Sequence, residues 1–155
     1  ALGLGSGSLK PINANHDTEY HSSLVYGASF NYQWPLSSWL STSLMVHESG
    51  GEGSMPTKSE YKYYKSGIIG LQLKIWMGPL YLGVHGGQYY LTWIESMSAY
   101  SGIQHAGGSG YSIGFETSSG WFLAAFSDQS ETFSFDEMPD QRVEGNRVIL
   151  GYRWK

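Results

Sequence analysis

Apolar and polar residues alternate along most of this chain with a period of two. The clearest run, LVYGASFNYQW (24–34), is apolar at every even position, while most of its odd positions are small or polar. Successive side chains of a β-strand point to opposite faces, so this pattern predicts a strand with one apolar face. No segment shows the 3.6-residue period of an amphipathic helix. The chain is therefore predicted to be all-β.

Other segments carry the same signal and bring the number of predicted strands to eight. They cover residues 2–9, 39–46, 68–76, 80–93, 110–117, 121–128 and 147–155. The segment 121–128, WFLAAFSD, is apolar at both parities, so its two faces stay unassigned. Gly86 and Gly87 interrupt the alternation of 80–93, which predicts a β-bulge there.

The connections between predicted strands alternate between short and long. Short connections at 35–38, 77–79 and 118–120 carry turn-forming residues, and the long ones run near 10–20, 48–62, 95–108 and 130–145. This order is typical of an antiparallel up-and-down meander with one tight rim and one elaborated rim. We predict a single domain, residues 1–155, that closes into an eight-stranded barrel.

Such a barrel can hide its apolar face inside, as soluble ligand-binding barrels do, or turn it outward to lipid. The less apolar face of these strands carries mainly Gly, Ser, Asn and Gln rather than the Lys, Glu and Thr of a water-facing strand. Small uncharged residues suit the narrow interior of an eight-stranded barrel. The pattern favours a transmembrane β-barrel over a soluble one.

Charged residues within the predicted strands support this orientation. Lys74, Glu116, Arg147 and Arg153 all lie at the parity opposite to the aliphatic residues. A charge facing lipid at mid-depth costs roughly 2–4 kcal/mol, whereas an inward charge can be paired. We predict that these residues, with His85, form a charge network of three cations and one acid that plugs the lumen.

Aromatic residues cluster towards both ends of the predicted strands, as in the interfacial belts of membrane proteins. The tryptophans at the short-turn ends are Trp34, Trp39, Trp76, Trp121 and Trp154, and the tyrosines at the other ends are Tyr20, Tyr61, Tyr63, Tyr64, Tyr89, Tyr90 and Tyr100. Lys58, Lys62 and Lys65 lie just beyond the tyrosines. There they can contact lipopolysaccharide phosphates or extend towards water.

Composition narrows the classes of partner. A net charge of −4 argues against nucleic acid, and no apolar run approaches the roughly 18 residues of a spanning helix. The chain has no cysteine, and its five histidines show no metal-ligand spacing. We expect no metal and no cofactor.

The architecture resembles the small eight-stranded outer-membrane barrels of Gram-negative bacteria, of the OmpA-transmembrane and OmpX type. The C-terminal ILGYRW (149–154) is similar to the terminal signal read by the barrel-assembly machinery, although Lys155 follows its last aromatic residue. The resemblance implies a multi-pass protein of the bacterial outer membrane with periplasmic termini. It also implies contacts with outer-membrane lipids and lipopolysaccharide, and with the assembly machinery during insertion.

The function predicted from these features is non-enzymatic. Four extracellular loops would serve surface interaction, adhesion or association with an envelope complex, through a protein partner that the sequence does not identify. The alternative is a lipid A-modifying hydrolase, because lipid A deacylases of similar size carry a His-x-Ser pair. This chain has His21-Ser22-Ser23, His47-Glu48-Ser49 and a late Ser127-Asp128. Such short patterns are expected by chance, so we predict no catalytic residue.

Overall fold

The computed structural model describes residues 2–13, 25–52, 63–96, 99–100, 102–136 and 140–154. None of them lies in a helix able to cross a membrane. Their strands are β1 (Leu2–Asn13), β2 (Val25–Pro35), β3 (Leu40–Glu52), β4 (Tyr63–Met77), β5 (Leu80–Ser96), β6 (Ala99–Tyr100), β7 (Gln104–Glu116), β8 (Trp121–Ser130) and β9 (Gln141–Tyr152).

Eight of these strands close into a ring. Each pairs antiparallel with its neighbours in the order β1, β2, β3, β4, β5, β7, β8 and β9, and β9 returns to β1. The closing pair is continuous from Leu2 opposite Tyr152 to Asn13 opposite Gln141. The two-residue β6 pairs antiparallel with the far end of β5 and is not part of the ring. The predicted eight-stranded up-and-down barrel is confirmed.

Tight turns connect strands at one rim of the barrel. The turn between β4 and β5 contains Gly78, at φ +66°, followed by Pro79. A glycine at positive φ in the first central position is typical of a two-residue hairpin turn, and the fixed φ of proline suits the second. Gly120, before β8, also has a positive φ of +97°. We call this end of the barrel the short-turn rim.

The strands reach further into the long connections than the sequence predicts. The prediction of a β-bulge at Gly86-Gly87 is wrong. Pairing is continuous there, with Gly87 opposite Gly70 on one side and Gly108 on the other. A Cβ at Gly87 would collide with the Ile69 carbonyl and with Gly70. The glycines therefore let two backbones approach closely in regular register. A register shift lies instead between Ile94 and Ser96.

In the part of the barrel nearest the short-turn rim, apolar side chains face outward and polar ones inward. On β4, Leu71 and Leu73 are 60% and 41% exposed, whereas Gln72 and Lys74 are buried. The same alternation runs through the strands on either side. Outward-facing apolar residues include Phe30, Tyr32, Ile69, Ile75, Leu82, Val84, Ile113, Phe115, Leu123, Val148 and Leu150. This distribution is the reverse of that in a water-soluble barrel.

The structure also assigns the faces of β8, which its sequence left open. Phe122, Ala124 and Phe126 lie on the inward face of β8, and Trp121 and Leu123 lie exposed on its outward face. Asp128 follows the inward parity and is only 3% exposed. The interior of the barrel therefore contains an acid that the predicted network lacked.

At the opposite rim the distribution changes, because the interior becomes apolar. Its core residues are Tyr64, Ile68, Leu91, Trp93, Phe133, Phe135 and Val143. Phe133, from the segment after β8, pairs with Gln141, whose side-chain oxygen accepts a 2.8 Å hydrogen bond from the Trp93 indole. Outward positions at this level include the exposed Glu48 and Lys65. An apolar core thus closes this end, which we call the capped rim.

This arrangement corrects the predicted tyrosine belt. Tyr64 and Tyr89 are 1% and 3% exposed and point into the barrel, whereas Tyr63 is 47% exposed. Tyr20 and Tyr61 lie outside the described residues, as do the side-chain details of Tyr100. Aromatic residues near this rim serve the interior as well as the outer surface.

Candidate functional site in the barrel lumen

The most polar part of the lumen is centred on Asp128 of β8. His85 and Tyr89, both on β5, donate hydrogen bonds of 2.8 and 2.9 Å to its Oδ1. Arg147 of β9 places Nη1 2.9 Å from Oδ2. The side chains of Asp128 and His85 are fully buried. We call Asp128, His85, Tyr89 and Arg147 the Asp128 cluster.

Polar groups around the Asp128 cluster are not all satisfied by protein atoms. Among the described residues, both ring nitrogens of the buried His47, and Nε and Nη2 of Arg147, find no hydrogen-bond partner. The Phe126 ring packs 4.9 Å from the Arg147 guanidinium and 5.7 Å from the His85 ring. Burying the guanidinium charge of Arg147 is costly, and the carboxylate of Asp128 compensates for that charge.

A second polar group lies nearer the short-turn rim. Lys74 donates a 3.2 Å hydrogen bond to the Gln33 side chain, and its ammonium lies 4.8 Å from the centre of the Tyr81 ring. Glu116 and Arg153 form an ion pair, with the Arg153 side chain 31% exposed. We call Lys74, Gln33, Tyr81, Glu116 and Arg153 the rim group.

Gln72 and Phe126 lie between the two groups. The Gln72 amide nitrogen donates a 2.7 Å hydrogen bond to Ser112, and its oxygen accepts one of 3.3 Å from Ser43. The side chain of Gln72 therefore links β3, β4 and β7 across the interior. Since eight strands enclose a narrow space, such a crosslink fills much of its section.

The structure thus divides the residues of the predicted lumen network. His85 and Arg147 lie in the Asp128 cluster, whereas Lys74, Glu116 and Arg153 lie in the rim group. The expected ratio of three cations to one acid is wrong, because Asp128 provides a second carboxylate. The charge of Asp128 could have indicated this from the sequence. An aspartate that faces lipid is costly, so the charge favours the inward face of β8 for Asp128.

The predicted tryptophan belt includes four exposed side chains. Trp34, Trp39, Trp121 and Trp154 are 42–63% exposed near the short-turn rim. Trp76 differs, because it is partly buried and its indole donates a 2.7 Å hydrogen bond to Ser41. It packs against Tyr81 at 5.0 Å and lines the inner edge of the rim.

Of the lysines predicted to contact lipopolysaccharide, the structure describes only one. Lys65 is exposed, and its Nζ lies 3.7 Å from Glu48 Oε1. Lys58 and Lys62 lie outside the described residues.

The serine and histidine patterns do not form a catalytic arrangement where the structure describes them. The Ser49 hydroxyl contacts Ser66, while neither nitrogen of His47 has a hydrogen-bond partner in the described ranges. Ser127 is on the outward parity and Asp128 on the inward one. His21, Ser22 and Ser23 lie outside the described residues. In the described part of the chain, no three His, Asp or Glu residues group as metal ligands.

Comparison with known proteins identifies the fold. No protein-family model matches the chain, and no curated protein matches its sequence. The crystal structure of Neisserial surface protein A (NspA) is similar with a TM-score of 0.67 at 10% identity, covering 99% of this chain and 96% of that one. The N-terminal β-barrel domain of Pseudomonas aeruginosa OprF has a TM-score of 0.39 at 13% identity, covering 96% and 97%. The likeness to NspA shows that this chain has the fold of a small eight-stranded outer-membrane β-barrel.

The Asp128 cluster predicts a specific loss of stability. Asp128→Asn removes the charge that compensates the buried Arg147, and we expect it to lower the free energy of unfolding by about 3–5 kcal/mol. Glu116→Gln should cost less, because its partner Arg153 is partly exposed. Urea unfolding of protein refolded into lipid vesicles measures both.

A double variant provides the control. Asp128→Leu combined with Arg147→Met removes both charges, and we expect it to recover much of the stability lost in Asp128→Asn. If Asp128→Asn and Glu116→Gln lowered the free energy of unfolding equally, the buried pair would not be the dominant one.

Proposed function

We propose that this chain is a non-enzymatic β-barrel of the bacterial outer membrane. Its lumen is plugged, and its long segments are presented at the cell surface for adhesion or for association with an envelope complex. The observation that carries the proposal is the exposed apolar surface around the ring, combined with charged side chains buried in the interior.

The apolar surface supports insertion into lipid. Leu71, Val84 and Leu150 are each 56–60% exposed, although such aliphatic residues are normally buried in soluble proteins. Four exposed tryptophans lie near the short-turn rim, where amphipathic rings favour a membrane interface. In the described part of the chain, each strand of the closed ring pairs with a neighbour on both sides, and a bilayer core requires such closure.

The interior supports a structural role rather than a water-filled pore. The rim group, the Gln72 crosslink, the Asp128 cluster and the apolar core of the capped rim follow one another along the lumen. Side chains rather than open space therefore occupy the interior above the rim group. A barrel filled in this way uses its outer wall and its long segments for function.

The orientation follows from the lengths of the connections. Outer-membrane barrels have short periplasmic turns and longer extracellular loops. The described chain begins and ends at the short-turn rim, where Leu2 is opposite Tyr152 and the Arg153 amide bonds to the Gly120 carbonyl. We therefore propose periplasmic termini and a cell-surface position for the capped rim.

Partners follow from this placement. Outer-membrane lipids would cover the apolar band, and the exposed Lys65 near Glu48 lies where lipopolysaccharide headgroups are expected. The barrel-assembly machinery would recognise the C-terminal ILGYRW during insertion, and the 63% exposure of Trp154 supports this. A protein partner would be met through the long segments or the barrel wall.

Epitope insertion tests the proposed surface presentation. A tag placed after Glu52, where β3 ends, should be labelled by antibody on intact cells. A tag at Ser37, in the short turn after β2, should be labelled only after the outer membrane is permeabilised. The opposite labelling pattern would place the short-turn rim outside and contradict the proposal.

Electrical recording tests the plugged lumen. Purified protein, shown to be folded by its heat-dependent migration on SDS gels, should give no stable large conductance steps in a planar bilayer. The physical reason is that buried side chains block the path at Gln72, at the Asp128 cluster and at Trp93. Long-lived, uniform steps would instead make a pore the leading function.

A further inference from the structure

A funnel-shaped pocket opens at the short-turn rim, and the proposed function makes no use of it. Its outer part has a volume of about 440 Å³ and is lined by residues of the tight turns together with Gln33, Ser41, Trp76, Glu116 and Arg153. An inner chamber of about 20 Å³ follows, and Gln33, Glu116 and Arg153 line both parts. The two therefore adjoin each other, and we call them together the funnel.

The funnel has a closed inner end. Gln72 and Phe126 line the inner chamber, and Gln72 is held in place by its hydrogen bonds to Ser43 and Ser112. The Phe126 ring contacts the Arg147 guanidinium, which belongs to the Asp128 cluster. A molecule entering from the short-turn rim would therefore stop before the middle of the lumen.

Lys74 lines the inner chamber and has no ion pair of its own among the described residues. It is 7% exposed, and its Nζ makes one hydrogen bond, to the neutral Gln33 side chain. Glu116 also lines this chamber, but its ion pair is with Arg153, so the rim group holds two cations and one acid. An ammonium has three N–H donors and is costly to bury without a counter-charge. The chamber therefore favours an anionic oxygen beside Lys74.

We propose that this funnel binds the carboxylate of a small hydroxylated molecule. The inner chamber is only about 20 Å³ in volume, which favours the smaller, planar carboxylate over a tetrahedral phosphate. The outer part offers the hydroxyl-bearing residues Ser37, Ser38, Ser41, Thr117 and Ser118 to the remainder of the molecule. Arg153 lies on the path between the two parts and adds a second cation.

The compartment from which the molecule enters rests on the proposed function, because only that function places the short-turn rim in the periplasm. The binding itself does not, so it can be measured on protein folded in detergent micelles. A failure to bind would leave the membrane topology intact, and a reversed topology would leave the binding intact.

Gluconate is the probe, because it combines a carboxylate with several hydroxyl groups. Titration into ¹⁵N-labelled protein in micelles, at constant ionic strength, should shift the Trp76 indole and the Lys74 side-chain resonances saturably. Glucose should cause no saturable shift, because it lacks the charge. Acetate should bind more weakly than gluconate, because it cannot use the hydroxyl-bearing outer part. Inorganic phosphate that bound as tightly as gluconate would overturn the carboxylate assignment.

Three variants locate the site. Lys74→Gln should weaken gluconate binding about tenfold or more, since it removes a charged hydrogen-bond donor. Lys65→Gln removes an exposed lysine of the same charge far from the funnel and should leave the affinity unchanged. Glu116→Gln removes the competing acid and should tighten binding several-fold, which provides a test if Lys74→Gln does not fold. Equal affinities in wild type and Lys74→Gln, or weaker binding in Glu116→Gln, would overturn the proposal.

Discussion

The backbone of this protein satisfies its hydrogen bonds within a closed ring of strands, and most other features of the barrel follow from that. A bilayer core offers no water to unpaired amides and carbonyls, so an open sheet edge would be costly there. The continuous pairing of β9 with β1, from Tyr152 to Gln141, removes that edge. Once the ring is closed, each strand has one face towards the surroundings and one towards a narrow interior. The alternation of apolar and polar residues follows from this division.

The narrow interior then has to be filled, and it is filled differently at different heights. Small residues and the Gln72 crosslink occupy the level above the rim group. At the next level, the buried cation Arg147 is compensated by the carboxylate of Asp128. Towards the capped rim, Trp93, Phe133 and Val143 form an apolar core like that of a soluble domain. The barrel therefore combines an inverted distribution of polarity near one rim with an ordinary one near the other.

The sequence predicted the ring, the strand count and most faces, because the period-two pattern is strong where lipid and lumen differ most. On β4, Ile69, Leu71 and Leu73 alternate with Gly70 and Gln72, so the pattern separates an apolar face from a less apolar one. The segment WFLAAFSD was ambiguous because alanine and phenylalanine fit both sides. Asp128 was consequently missed, and its meeting with His85 and Arg147 depends on the shear of a closed barrel rather than on local pattern. Tyr64 and Tyr89 were misplaced because an aromatic belt and an aromatic core have the same composition.

Spin labelling measures directly whether the apolar face of the strands contacts lipid. The chain contains no cysteine, so single cysteines can be introduced along β4 at residues 69–76 and spin-labelled in lipid vesicles. We expect the odd positions to be accessible to dissolved oxygen and shielded from a water-soluble nickel chelate. The even positions should be shielded from both, because they face a filled interior. Odd positions as accessible to the nickel chelate as a label at the exposed Lys65 would show that this face meets water, and would contradict the account.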